Sequence, residues 1–222
     1  MKTPKWSILI PSVVTRPQLL QRLTDRLSPQ VTKFNGEVEV VIFWNNFERQ
    51  LGELRQLMLA EAKSEYINFI DDDDLVTEDY VETILPLLDG VDYIGFMVDF
   101  YSNGTKIEKP VIHSLKCSGW YEDPFGFYRR GVHTNPVKRT IALEHAHYDQ
   151  SNYKDKQPED ILYAKNIDPY LHTEHYVPRP LHIYEQTDDH AWARFEPIDG
   201  KYLRPKLPDH FRFHPLSTKE SA

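Results

Sequence analysis

The sequence predicts an α/β protein built on a mostly parallel sheet with helices on both faces. Three observations carry this. Strand-like apolar runs alternate with helix-like segments from Trp6 to Phe100. The helix-like segments repeat apolar residues three and four apart, as Leu20, Leu23 and Leu27 do. The run Tyr66-Ile67-Asn68-Phe69-Ile70 then stops at four consecutive aspartates, Asp71 to Asp74, and open α/β sheets bind ligands just beyond the carboxyl ends of their strands.

Trp6 to Ile10 reads as a first buried strand closed by Pro11-Ser12, followed by a helix with Pro17 in its first turn, where a missing N–H costs little. Leu19 joins Leu20, Leu23 and Leu27 on its apolar face. Val38 to Phe43 is a second, β-branched strand ending in Trp44-Asn45-Asn46. Glu48 to Lys63 carries Leu51, Leu54, Leu57 and Met58 at helical spacing. After the aspartates, Leu75-Val76-Thr77 opens another helix, with Thr77 as its N-cap and Val81, Ile84, Leu85 and Leu88 as its face. Val91 to Phe100 is a strand turned by Ser102-Asn103-Gly104.

Beyond Tyr101 the regularity fades, and dense Pro, Gly and aromatic residues from Lys116 to Pro136 predict functional loops. Asn135-Pro136 is expected to cap a helix through Ala146, and another helix starts near Gln157-Pro158-Glu159-Asp160. A last strand is expected at Leu181 to Tyr184, then an irregular tail interrupted by Pro205, Pro208 and Pro215. The expected organisation is one domain over 1–196, with halves 1–100 and 101–196, and a tail over 197–222.

A chain of 222 residues suits one large domain. With 40% apolar and 27% charged residues, disorder is not the default. The net charge of −8 argues against a nucleic-acid-coating protein but leaves room for local basic patches. Cys117 is the only cysteine, which excludes an internal disulfide framework and a Cys-based zinc site. The apolar run from Trp6 to Ile10 is too short for a signal-peptide core or a membrane span. A soluble cytoplasmic protein with no membrane partner is expected.

Four adjacent carboxylates repel one another, and a hard divalent cation, Mn²⁺ or Mg²⁺, relieves that repulsion. The blander alternative is a solvated acidic loop assisting the following helix.

The order of segments now resembles a known family. Ser7-Ile8-Leu9-Ile10-Pro11, a second strand ending in an Asn pair, Gly52-Glu53-Leu54-Arg55 and Glu65 through Asp74 are similar to the GT-A nucleotide-sugar glycosyltransferases, in particular the small inverting enzymes of family two. The likeness is strongest over the first hundred residues or so. His133 to Arg139 and Pro158 to Ala164 resemble the family's acceptor-side segment and the Glu-Asp pair that carries its base.

That resemblance implies a GT-A fold and a role for each matching position. Asp71 and Asp73 hold the metal that bridges the donor's diphosphate, and Asp72 accepts from a ribose hydroxyl. Pro11, Ser12 and Val13 begin the nucleoside pocket. Asn45 and Asn46 stand where the family commonly has an Asp that pairs with the base, and a carboxamide offers both donor and acceptor for that purpose. Arg55 reaches the base or a phosphate. Asp160 is the general base, with Glu159 as neighbour and fallback. His190 completes the metal site, with His182 as second candidate. Taken without the resemblance, Glu159-Asp160 is an acidic first turn favoured by the helix dipole, and the histidines are solvated or satisfied core residues.

The implied reaction moves a sugar from a nucleoside diphosphate, UDP by resemblance, to a hydroxyl. Lys116, Arg129, Arg130, Lys138 and Arg139 lie among Trp120, Tyr121, Phe125, Phe127 and Tyr128. Basic residues beside aromatics suit nucleic acid, and small bacteriophage transferases of this look glycosylate hydroxymethylated pyrimidines in DNA. That acceptor, in a host cytoplasm, stands beside a cell-surface glycan or lipid-linked precursor. Two other readings remain: a nucleotidyltransferase, weakened because Pro11 to Pro17 holds no glycine, and a non-catalytic calcium- or carbohydrate-binding module, which leaves Glu159-Asp160 unexplained.

Overall fold

The computed structural model describes residues 3–34, 36–148, 158–187 and 205–215. The nucleus is a parallel trio: β1 (Trp6–Val13) lies between β2 (Val38–Asn45) and β3 (Tyr66–Phe69). The crossovers are α1 (Pro17–Thr32) and α2 (Leu51–Glu61), and they cover opposite faces. On one face Leu20, Leu23 and Leu27 pack with Ile8, Ile10, Val40 and Ile42. On the other, Leu54 and Met58 pack with Leu9, Val41, Ile67 and Phe69. Alternate residues of each strand thus feed alternate cores, which explains why these strands read as unbroken apolar runs.

β1 runs three residues past the expected stop. The Leu9 carbonyl accepts from the Ile70 N–H, so Leu9 and, two residues on, Pro11 face β3. The β3 ladder ends at Leu9↔Phe69, and Pro11 therefore sacrifices no ladder bond. α2 is shorter than expected, with a Gln50–Glu53 capping box; Leu57 is exposed, and Arg55 is buried in its place.

Leu75–Val76 is not a helix start. It is a short strand, β4, antiparallel to β11 (Glu174–Gln186). Helix α3 (Tyr80–Ile84) follows with Asp79, not Thr77, at its N-cap. β5 (Tyr93–Ser102) turns at Asn103 and Gly104, both at positive φ, into β6 (Thr105–Lys106). β11 lies parallel along one edge of β5. Along the other edge two strands succeed one another: β10 (Val137–Lys138) pairs at Tyr93, and β7 (Val111–His113) pairs from Phe96 to Val98. β10 also pairs antiparallel with β3 and so joins the two halves of the sheet.

Asn135-Pro136 is therefore the lead into a strand, and helix α4 (Arg139–His145) starts later than expected. The hairpin of β8 (Tyr121–Asp123) and β9 (Gly126–Arg129) extends the sheet beyond β7. Helix α5 (Glu159–Ile167) packs on the face covered by α2. The tail is not wholly irregular: Arg212–Pro215 forms β12, parallel to β2. Among the described residues no helix is long and apolar enough to cross a membrane.

Candidate functional site

At the carboxyl end of β3, where β10 gives way to β7, lies a cavity of about 370 Å³ lined by Arg55, Asp71, His113, His133, Asp160 and His182 among others. The loop after β3 supplies its acidic wall, and the Asp74 N–H donates to the Asp71 carbonyl to make that loop a tight turn.

The four aspartates have four different surroundings. Asp71 and Asp73 keep 32% and 22% of their side chains exposed. Asp72 is fully buried; its Oδ2 accepts from Ser12 Oγ at 2.6 Å and from the Val13 N–H, and Arg16 sits 2.7 Å from Oδ1. Asp74 is buried against His182 Nε2 at 2.8 Å. Burial raises the carboxyl of Asp72, with Arg16 opposing and Asp73 reinforcing. Burial likewise raises Asp74 to about 6 against the pull of His182. Asp71 goes the other way: burial would raise it, but Arg55, then His133 and Arg16, hold it well below the usual carboxylate range.

Pro11, Ser12, Val13, Asn45 and Asn46 come together at the ends of β1 and β2, in registers such as Ser12↔Trp44 and Val13↔Asn45. The Asn45 amide donates to the Arg49 carbonyl, while its buried Oδ1 has no partner among the described residues. The Asn46 N–H donates to Glu48. Asp72 thus pins the Ser12–Val13 segment from beneath, and its own carboxylate is turned inward.

Arg55 also turns inward. At 1% exposure it donates to Asp71 Oδ1 at 2.6 Å and lies 3.9 Å from Glu159 Oε1. Its guanidinium sits over the rings of Phe69 and Tyr148 at 5.4 and 6.0 Å. Two anions hold it charged despite burial, which by itself would lower its pKa. Its Nε and Nη1 have no protein partner among the described residues. Glu159 is buried beside it and Asp160, next along the first turn of α5, is half-exposed; both line the cavity.

The chemistry of these residues suits a cation. Asp71 and Asp73 are hard oxygen donors with exposed edges, and a cation already sits among them. Arg16, 29% exposed, donates to Asp73 Oδ2 at 2.6 Å and pairs with Asp72. No cluster of three His, Cys, Asp or Glu side chains stands ready for a metal among the described residues. Two carboxylates with phosphate and water ligands is nevertheless the usual way a protein holds Mg²⁺. The residues present would therefore fit a metal held by Asp71 and Asp73 together with a diphosphate, where Arg16 now supplies the positive charge. His182 is committed to Asp74, and His190 lies outside the described residues.

Among the polar cavity residues, His113 was not singled out from the sequence, whereas Asp74 and His133 were read only as members of the aspartate run and of the acceptor-side segment. His133 lies 3.9 Å from Asp71, and burial, then Arg55, lowers its pKa. The alternation within Val111-Ile112-His113 was the one signal that could have turned His113 inward.

A family model described as glycosyl transferase family 2 matches residues 21–148. No curated protein matches the chain. Among solved structures, the crystal structure of TarS from S. aureus is similar at 13% identity and a TM-score of 0.55, over 82% of this chain and 37% of that one. Its fragment 1–349 is similar at 14% and 0.56, over 82% and 60%. The same fragment in complex with UDP-GlcNAc is similar at 13% and 0.53, over 82% and 58%. The chain thus spans 37% to 60% of the length of these structures, and the likeness is one of fold.

Proposed function

Because the chain belongs to glycosyl transferase family 2, we propose that it moves a sugar from UDP to a hydroxyl acceptor with inversion, using Asp160 as general base. Its fold is the GT-A arrangement, and family membership sets aside both the nucleotidyltransferase and the binding-module alternatives. UDP is assigned because the similar TarS fragment has been crystallised with UDP-GlcNAc and with UDP. The Ser12–Val13 and Asn45–Asn46 ends of β1 and β2 form the nucleoside side of the site, and Asp72 holds that segment in shape.

The single observation that carries the mechanism is the division between Glu159 and Asp160. Both line the cavity with Asp71, but Glu159 is buried beside Arg55, while Asp160 is half-exposed. Asp160 takes the proton of the acceptor hydroxyl as that oxygen bonds to the sugar's anomeric carbon. The bond from that carbon to the diphosphate oxygen breaks on the opposite face, and UDP departs with the electron pair. Mn²⁺ or Mg²⁺ between Asp71, Asp73 and the diphosphate would neutralise charge on the departing group. Arg55 keeps the loop of Asp71 and the first turn of α5 at a fixed separation.

For the acceptor, what the basic residues already do is informative. Arg130 is paired with Asp168 and Lys138 with Asp92. Arg129 lies over Trp120 and donates to the carbonyls of Tyr121 and Tyr128. What remains at the β8–β9 hairpin is aromatic, with Tyr121 stacked on Tyr128 at 4.6 Å and Phe125 77% exposed. This supports a glycan hydroxyl ahead of a hydroxymethylpyrimidine in DNA.

The test is transfer from UDP-sugars to a glycan panel and to hydroxymethylpyrimidine DNA, with the anomeric configuration of the product read by NMR. Asp160→Asn is expected to bind UDP like the parent and to turn over roughly a hundredfold slower or worse. Retained turnover in Asp160→Asn, or retention of configuration, would overturn the mechanism. Transfer to DNA alone would reverse the acceptor assignment.

A further inference from the structure

We infer that His113 determines donor specificity, its Nε2 lone pair accepting a hydrogen bond from a hydroxyl of the transferred sugar. This rests on the transferase reading above and deepens it.

Two steps fix the state of the imidazole. Asn135 is fully buried, and its side-chain nitrogen donates to the Ile94 carbonyl at 2.9 Å. The reverse placement of that amide would set two acceptors face to face, so the Asn135 oxygen is the atom directed at His113. That oxygen lies 2.8 Å from His113 Nδ1 and can only accept, so Nδ1 carries the hydrogen. A neutral imidazole has one N–H, which leaves Nε2 bare. The ring is neutral: burial lowers its pKa to about 3, against the opposing pull of Asn135.

The frame behind the ring is rigid. His113 pairs with Phe96 on β5, and a Cβ at Gly95 would lie 2.8 Å from the His113 carbonyl oxygen, so only glycine lets β7 approach this closely. The ring lines the cavity, and its Nε2 has no protein partner among the described residues.

A bare ring nitrogen accepts from O–H or N–H and is repelled by carboxylate or phosphate oxygens. The diphosphate therefore does not lie against it, and the nucleoside is assigned to the Ser12–Asn45 side. Two hydroxyl-bearing groups remain, the acceptor and the transferred sugar, and a response of Nε2 to UDP-sugar in the absence of acceptor assigns it to the sugar. A site that hydrogen-bonds a substrate hydroxyl discriminates against the analogue lacking it, because its own polar atom is left unpaired.

The experiment has two arms. In the unmodified protein with ¹⁵N-labelled histidine, NMR should show His113 protonated on Nδ1, with an Nε2 resonance that moves on adding UDP-GlcNAc or UDP-glucose but not UDP. An Nε2–H tautomer, or no response beyond that to UDP, overturns the inference without any variant having to fold. In the second arm, monodeoxy UDP-sugars are compared on the parent and on His113→Phe. The parent should lose roughly ten- to hundredfold in kcat/KM for one ring position, the scale of one buried hydrogen bond. His113→Phe should lose that single discrimination and keep the others; an unchanged pattern overturns the inference. If no UDP-sugar is bound or turned over by the parent, the donor reading itself has failed and this inference falls with it.

Discussion

Arg55 Nη2 lies 2.6 Å from Asp71 Oδ1, and the carboxylate of Glu159 stands 3.9 Å from the same nitrogen. One buried guanidinium thus joins the acidic loop after β3 to the first turn of α5. The residues proposed for the metal and for the base come from segments far apart in the chain, and Arg55 is what relates them.

Removing that cation takes the nearest positive charge from Asp71 and from the buried Glu159. Arg55→Ala is expected to cost roughly 3–5 kcal/mol of stability, the usual result of breaking a buried ion pair from one side. Arg55→Lys restores charge without the planar fork, so it should recover part of the stability but little of the turnover. Chemical unfolding and steady-state kinetics check both. An Arg55→Ala protein as stable as the parent would mean that the brace is not structural.

Arg16 now occupies the place between Asp72 and Asp73 that the metal is proposed to share. Arg16→Gln is expected to bind Mn²⁺ without nucleotide more tightly than the parent, because the competing cation is gone. Titration followed by Mn²⁺ electron paramagnetic resonance reads this directly. Equal or weaker Mn²⁺ affinity in Arg16→Gln would show that Arg16 and the metal do not compete.

Asp92 staples the start of β11 to the sheet. It accepts from the His172 and Thr173 N–H groups, the Thr173 hydroxyl and Lys138. Burial would raise its pKa, but Lys138 and these donors bring it down to about 2. A folded-state value below the unfolded one means stability that is present above about pH 4 and lost as pH falls through about 2. Asp92→Asn should therefore cost roughly 1–3 kcal/mol at pH 7. The gap from the parent should close between pH 4 and pH 2 in unfolding experiments. A gap independent of pH would place the effect elsewhere.

The first hundred residues were legible because each strand is buried on both faces and each helix on one. Trp6 to Val13 and Pro17 to Thr32 accordingly carry the plain periods of a strand and a helix. Legibility failed where distant chain segments decide local structure. Leu75–Val76 is a strand only because β11 lies beside it, and Val137–Lys138 only because β3 and β5 leave a slot. Of β11 only Leu181 to Tyr184 was legible; its first half was hidden by Pro178 and Pro180, which fall at its register shifts. In the site, the acidic loop and the Glu159-Asp160 pair could be read from residue type and order. That Arg55 and Asp72 face inward could not, because helix spacing alone does not tell a buried guanidinium from a solvated one.

Calorimetric titration of UDP with Mn²⁺ and with EDTA, on the parent and on Asp73→Ala, probes the donor site most directly. UDP binding that tightens with Mn²⁺ in the parent, and loses that dependence in a folded Asp73→Ala, is the expected result. UDP that binds equally well with Mn²⁺ and with EDTA, or an Asp73→Ala variant that keeps the full metal effect, would contradict a metal–diphosphate site at this loop.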